Sequence, residues 1–190
     1  MAEARILVFG GSLRTGSWSA KLAALAAKEL VLLDAEVSLI SLADYPMPIY
    51  DGDLEAREGV PENAKKLRAM MNAHRGIYIA TPEYNASIPP LLKNAIDWVS
   101  RQGAGGDDPY KKCVFALGAT SNGRFGGYRA LMALRTVLEL GLQALVLPNQ
   151  VALSHVAQAF DEAGNIKDAA VAKLLHGSLT RLIAAVESEF

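Results

Sequence analysis

Between Phe9 and Trp18 the chain reads Gly10-Gly11-Ser12-Leu13-Arg14-Thr15-Gly16-Ser17, directly after the apolar run Ile6 to Phe9 and directly before an Ala/Leu-rich segment. Small residues let the backbone approach a ligand closely, hydroxyls add donors, and Arg14 supplies a planar charged fork. Where such a loop ends a strand and opens a helix, unpaired backbone N–H groups and the positive end of the helix dipole converge on one anion. The spacing Gly11-x-x-x-x-Gly16 starts like a nucleoside-triphosphate loop, but Ser17 and Trp18 stand where Lys and Ser/Thr are required. The dinucleotide pattern G-x-G-x-x-G fails too, because Gly10 and Gly11 are adjacent and no Gly occupies the required later positions. A single phosphate is the better guest, set against a plain strand-to-helix turn with no ligand.

Other chemistry-bearing residues are sparse. Cys113, the one cysteine, stands beside Val114 and Phe115, so a disulfide within the chain is excluded and core packing is expected. His74, His155 and His176 show no metal-ligand spacing, and each is expected as a surface or helix residue. Asp44, Asp51 and Asp53 lack the regular Ca²⁺-loop spacing and are expected in a solvated loop.

The elements that must position the cradle follow from periodicity. Arg5 to Gly10 reads as a strand buried on both faces, and Ser17 is placed to cap a helix from Trp18 to Leu33, with Trp18 expected in the core. Glu36 to Leu42 is a second strand nearer a sheet edge; Ala43 to Val60, with Pro46, Pro48, Gly52 and Gly59, reads as a long loop. A polar helix from Pro61 to His74 precedes a third strand, Gly76 to Thr81. Ser87, Pro89 and Pro90 then signal the start of a helix whose apolar side, Leu91 to Val99, is expected to be buried or to face a partner. Lys112 to Gly118 is a fourth strand, followed by a Gly/Ser/Asn loop from Ala119 to Gly127 and a helix from Tyr128 to Leu140. A fifth strand starts at Gln143 with a break expected at Pro148, Phe160 to Asn165 reads as a turn, and a last helix runs from Asp168 to Glu187.

Strand and helix alternate about five times, which argues a parallel sheet covered on both faces by right-handed crossovers. The 190 residues, 51% of them hydrophobic, fit one domain over 1–190. In the flavodoxin-like order 2-1-3-4-5, strands one and three are neighbours at the switch point, so the loops Gly10 to Ser17 and Pro82 to Ser87 share one crevice; FMN occupies that point in flavodoxin itself. A net charge of −1 offers no basic field for nucleic acid or anionic lipid, so neither partner is expected. No secretory signal or membrane span is expected, and a reducing cytoplasm is the default.

Three segments carry a resemblance. Gly11-Ser12-Leu13-Arg14-x-x-Ser17, then Thr81-Pro82-Glu83-Tyr84-Asn85-x-Ser87-x-Pro89-x-x-Leu92-Lys93-Asn94-x-x-Asp97-Trp98, then Gly126-Gly127-x-Arg129-Ala130 resemble the NADPH-dependent FMN reductase family, including its quinone- and chromate-reducing members. The second segment is the most specific, and the likeness covers nearly the whole chain.

The resemblance implies a flavodoxin-like three-layer α/β sandwich that binds FMN and uses NADPH or NADH as co-substrate. It implies that Ser12, Arg14 and Ser17 hold the FMN phosphate with Ser19 assisting, although many members carry Phe and Asn where this chain has Trp18 and Ser19. It further implies that Pro82, Glu83, Tyr84 and Asn85 border the flavin and ribityl chain, largely through backbone groups, while Ser121 and Gly123 close the other edge. No general acid or base is then needed, because hydride passes between stacked rings and the protein supplies binding and orientation. Tyr84 is a candidate proton donor to a reduced quinone. The acceptor expected is a small molecule (quinone, flavin, azo compound or metal oxyanion), and a homodimer or homotetramer is expected. The rival functions are a flavodoxin-type electron carrier, against which the weak net charge counts, and a flavin-free interaction protein.

Overall fold

The computed structural model describes residues 4–101 and 107–188. Its elements in chain order are β1 (Arg5–Gly10), α1 (Trp18–Leu32), β2 (Glu36–Ile40), α2 (Gly52–Glu58), α3 (Glu62–Asn72), β3 (Gly76–Pro82), α4 (Pro90–Ser100), α5 (Pro109–Lys112), β4 (Val114–Thr120), α6 (Tyr128–Arg135), β5 (Leu145–Leu153), α7 (Val156–Ala159) and α8 (Ala169–Glu187). The five strands form one parallel sheet in the order β2-β1-β3-β4-β5.

Alternation along the inner strands divides the core. Ile6, Val8, Tyr78, Ala80, Val114 and Ala116 point into a layer shared with α1 and α8. The residues between them, Leu7, Phe9, Ile77, Ile79, Phe115 and Leu117, meet α3, α4 and α6 on the other face. The period-2 geometry of a strand buried on both sides thus makes a three-layer sandwich out of near-continuous apolar runs.

Several expectations need correction. The stretch expected as a loop from Ala43 to Val60 contains α2, whose start Asp51 caps by accepting from Asp53 N–H at 2.9 Å; none of its residues is buried, so apolar periodicity gave no sign of it. Pro148 does not stop β5: the pairing with β4 jumps from Phe115↔Val146 to Leu117↔Gln150, and an irregularity in the register absorbs the missing N–H. Lys112 closes α5 rather than opening β4. The helix after β3 begins at Pro90 with no side-chain cap, so Ser87 serves the preceding turn instead. The apolar side of α4, including Leu92, Ile96, Trp98 and Val99, takes the first of its two expected places and is buried within the chain.

His74 is 3% exposed rather than a surface group. Its ring nitrogens lie 2.7 Å from the Met70 carbonyl and 2.9 Å from Ser38 Oγ, which ties the end of α3 to β2. Helix α8 is long and apolar enough, by length and composition alone, to cross a membrane. In the structure it lays Leu175, Leu179 and Leu182 on the sheet. Trp18 is half-buried and stacks on Phe160 with centroids 6.0 Å apart.

Candidate functional site

The neighbouring ends of β1 and β3 bring the predicted loops together. Gly10 pairs with Ala80, and Gly11 N–H donates to the Ala80 carbonyl at 2.8 Å. A Cβ on Gly11 would meet Leu92 at 3.2 Å and Pro82 at 3.4 Å, so a side chain there would press on both the turn after β3 and α4.

In the 10–17 loop, Ser17 caps α1 by accepting from Ala20 N–H at 3.4 Å, and its N–H donates to the Arg14 carbonyl at 2.9 Å. Its hydroxyl is 2.9 Å from that of Ser19, and both serines are buried. Ser19 therefore fixes the Ser17 hydroxyl. Ser12 Oγ accepts from Arg14 N–H at 3.3 Å, which curls the loop. Among the described residues, the N–H groups of Ser12, Leu13, Thr15 and Gly16 have no protein acceptor, and the exposed Arg14 guanidinium has no partner. Free donors and one unpaired cation at the start of a 15-residue helix suit a phosphate monoester.

After β3 the chain makes a two-residue turn. Tyr84 and Ser87 exchange backbone hydrogen bonds at 2.9 and 3.0 Å, and Asn85 and Ala86 between them take φ of 49° and 65°. A turn of this hand needs left-handed backbone at both central positions; Asn tolerates it, whereas Ala86 carries strain of about 1 kcal/mol. Tyr84 is left exposed at the rim. Glu83 turns inward. Its carboxylate, 5% exposed, pairs with Arg129 at the start of α6, and its Oε1 accepts from Arg129 Nε at 2.9 Å. Its Oε2 is buried without a protein partner.

The third loop closes the crevice. Ser121 N–H donates to the Leu153 carbonyl at 3.1 Å, and Gly123 N–H to Ser121 Oγ at 3.1 Å. Gly126 and Gly127 take φ of 61° and 88°, and a Cβ on Gly126 would lie 2.7 Å from the Ala152 backbone. Only glycine lets this loop fold down onto β5 before α6 starts.

Two sets of residues from the quoted motifs had no role assigned from the sequence. Arg129 belongs to a recognised motif, but its pairing with Glu83 spans 46 residues and leaves no local signal. Asn94 and Trp98 brace the segment after β2: Asn94 Oδ1 accepts from Tyr50 N–H at 2.8 Å, and Asn94 Nδ2 and Trp98 Nε1 both donate to the Pro48 carbonyl. Cys113 is buried, with its thiol pushed up to about 12 by burial against the pull of Lys112 and Arg75, so it takes no part in the site. Among the described residues no three His, Cys, Asp or Glu side chains are grouped to hold a metal ion.

A flavodoxin-like sheet with an anion cradle at its switch point defines the class, a nucleotide-phosphate-binding α/β protein. The sequence profile described as NADPH-dependent FMN reductase matches residues 4–158, and the chain belongs to that family. It is 35% identical over 182 residues to an NAD(P)H-dependent FMN reductase of Pseudomonas aeruginosa, covering 95% of this chain and 94% of the relative. It is 34% identical over 179 residues to a quinone reductase of Escherichia coli, covering 93% and 92%. Among solved structures, a flavoenzyme NAD(P)H:(acceptor) oxidoreductase from Paracoccus denitrificans superposes with a TM-score of 0.74 at 28% identity, covering 97% of each chain.

Proposed function

We propose that the protein is an FMN-dependent oxidoreductase that passes hydride from NADH or NADPH through FMN to a small acceptor, with quinones the favoured class. The observation that carries this reading is the junction of the 10–17 cradle with the 82–87 turn across the β1/β3 switch point. FMN held by these loops would supply the two-electron chemistry that links the nicotinamide to the acceptor.

The chain's residues bind and orient. The free N–H groups of the cradle, Ser12, Ser17 and the Arg14 guanidinium hold the phosphate, and Ser19 fixes the Ser17 hydroxyl. The backbone of Pro82, Glu83, Tyr84 and Asn85 borders the ring and ribityl chain, while Ser121 and Gly123 form the opposite edge. Apart from the Tyr84 hydroxyl, exposed at the rim and a candidate proton donor to a reduced quinone, no side chain is assigned as general acid or base. The protein works in the cytoplasm as a homodimer or homotetramer, a reading supported by the exposed aromatics Tyr84, Phe125 and Tyr128 near the site. Sedimentation as a monomer at micromolar concentration would refute the assembly.

The deciding experiment is steady-state turnover with NADH or NADPH and benzoquinone, using protein whose colour and released FMN have been checked. Turnover with ping-pong kinetics is expected. Flavin-loaded protein that does not turn over would point to an electron carrier, and protein that fails to bind FMN would overturn the site.

A further inference from the structure

A groove of about 340 Å³ opens beside the cradle and shares Gly10 and Ser12 with it. Ala20 and Ala23 of α1 wall it on one side, and Leu39 near the end of β2 on the other. Leu39 is 52% exposed, so it offers apolar surface that the core does not use. At the mouth stand two hydroxyls, Ser12 and Ser41, and one charged group, Asp44. No lysine or arginine lines the groove. Among the described residues the Asp44 carboxylate has no hydrogen-bond or ion-pair partner; only its backbone is engaged, in the short helical turn that Ser41 caps. Apolar walls with a few convergent polar groups are the make-up of a ligand subsite, and the volume falls in the usual range.

The position is chemically specific. The groove lies at the end of β2, next to β1, with Phe9 paired to Ile40. In dinucleotide-binding parallel sheets an acid at the end of the second strand accepts hydrogen bonds from the adenosine ribose, and an arginine replaces that function where a 2′-phosphate must be held. Here the acid is present and the groove has no cation. The groove also lies on the β2 side of the cradle, away from the loops after β3 and β4.

We infer that this groove seats the adenosine end of the reduced nicotinamide co-substrate, and that Asp44 selects the free 2′-hydroxyl of NADH over the 2′-phosphate of NADPH. The assignment rests on the oxidoreductase reading above. A carboxylate facing a 2′-phosphate repels it, whereas a ribose diol donates to it.

The test has two arms. Calorimetric titration of FMN-loaded protein compares 5′-AMP with adenosine 2′,5′-bisphosphate, and steady-state assays with benzoquinone compare kcat/KM for NADH and NADPH. The wild type is expected to favour the nucleotide without the 2′-phosphate by at least about tenfold in both arms. Asp44→Asn narrows the ratio and Asp44→Arg reverses it, with FMN content unchanged. Absence of nucleotide binding, a wild-type preference for the 2′-phosphate, or a ratio indifferent to residue 44 overturns the assignment alone. Failure of both coenzymes to reduce the loaded wild type overturns the functional reading and the assignment with it.

Discussion

Glu83 and Arg129 form an ion pair in which one carboxylate oxygen receives two donors and the other, though buried, receives none. The pair ties the turn after β3 to the first turn of α6, so the two sides of the crevice are cross-braced. Arg129 is 57% exposed, which weakens the pair by solvent screening, but its loss leaves a carboxylate buried alone. Arg129→Met is expected to weaken FMN binding by roughly 1–2 kcal/mol, about five- to thirtyfold in Kd, with partial rescue by Arg129→Lys. Flavin fluorescence titration measures it, and an unchanged Kd would show that the brace does not shape the site.

Arg14 contributes charge to the cradle without bracing the fold, because its exposed guanidinium makes no hydrogen bond or ion pair with another described residue. Arg14→Ala is therefore expected to lower FMN affinity about ten- to hundredfold, the worth of a charge-assisted hydrogen bond, while the melting temperature of the apoprotein stays put. Equal FMN affinity in the variant would remove Arg14 from the phosphate site.

Gly126 is expected to tolerate no side chain. Its φ of 61° and the 2.7 Å approach of a Cβ to the Ala152 backbone combine strain with overlap. Gly126→Ala should cost about 2 kcal/mol or more and displace the Ser121–Gly123 edge. Thermal unfolding reads the first effect and FMN release the second; a variant as stable as the parent would contradict the geometry.

Stability is expected to depend on pH through Glu29. Burial pushes its carboxyl up from the ordinary value of 4.5, against the opposing pull of His176 and Lys28. The folded chain therefore holds that proton to higher pH than the unfolded chain does. The stabilisation is complete below the ordinary value and is lost as pH rises through the folded one. Glu29→Gln should flatten this part of the profile, measured as urea midpoints between about pH 4 and 7. A variant whose profile keeps the parent's slope would acquit Glu29.

What the sequence determined by itself was the alternation of elements; the sheet order and the place of the crevice came from the likeness to the flavodoxin-like order that the motifs support. Runs such as Ile6 to Phe9 and Gly76 to Thr81 carry the alternation because a strand buried on both faces must be apolar throughout and is too short to be a buried helix. The cradle was legible for a related reason: glycines, hydroxyls and a cap residue act on their own backbone, so their effect is local. The tertiary structure alone decided everything that depends on pairing across the chain. It buried His74 against Ser38, turned the Glu83 carboxylate toward Arg129, gave Asn94 and Trp98 the segment after β2 to hold, and left Asp44 unpaired beside the cradle. Those residues are polar and ordinary in sequence, and long-range contacts between polar groups leave no periodicity to read.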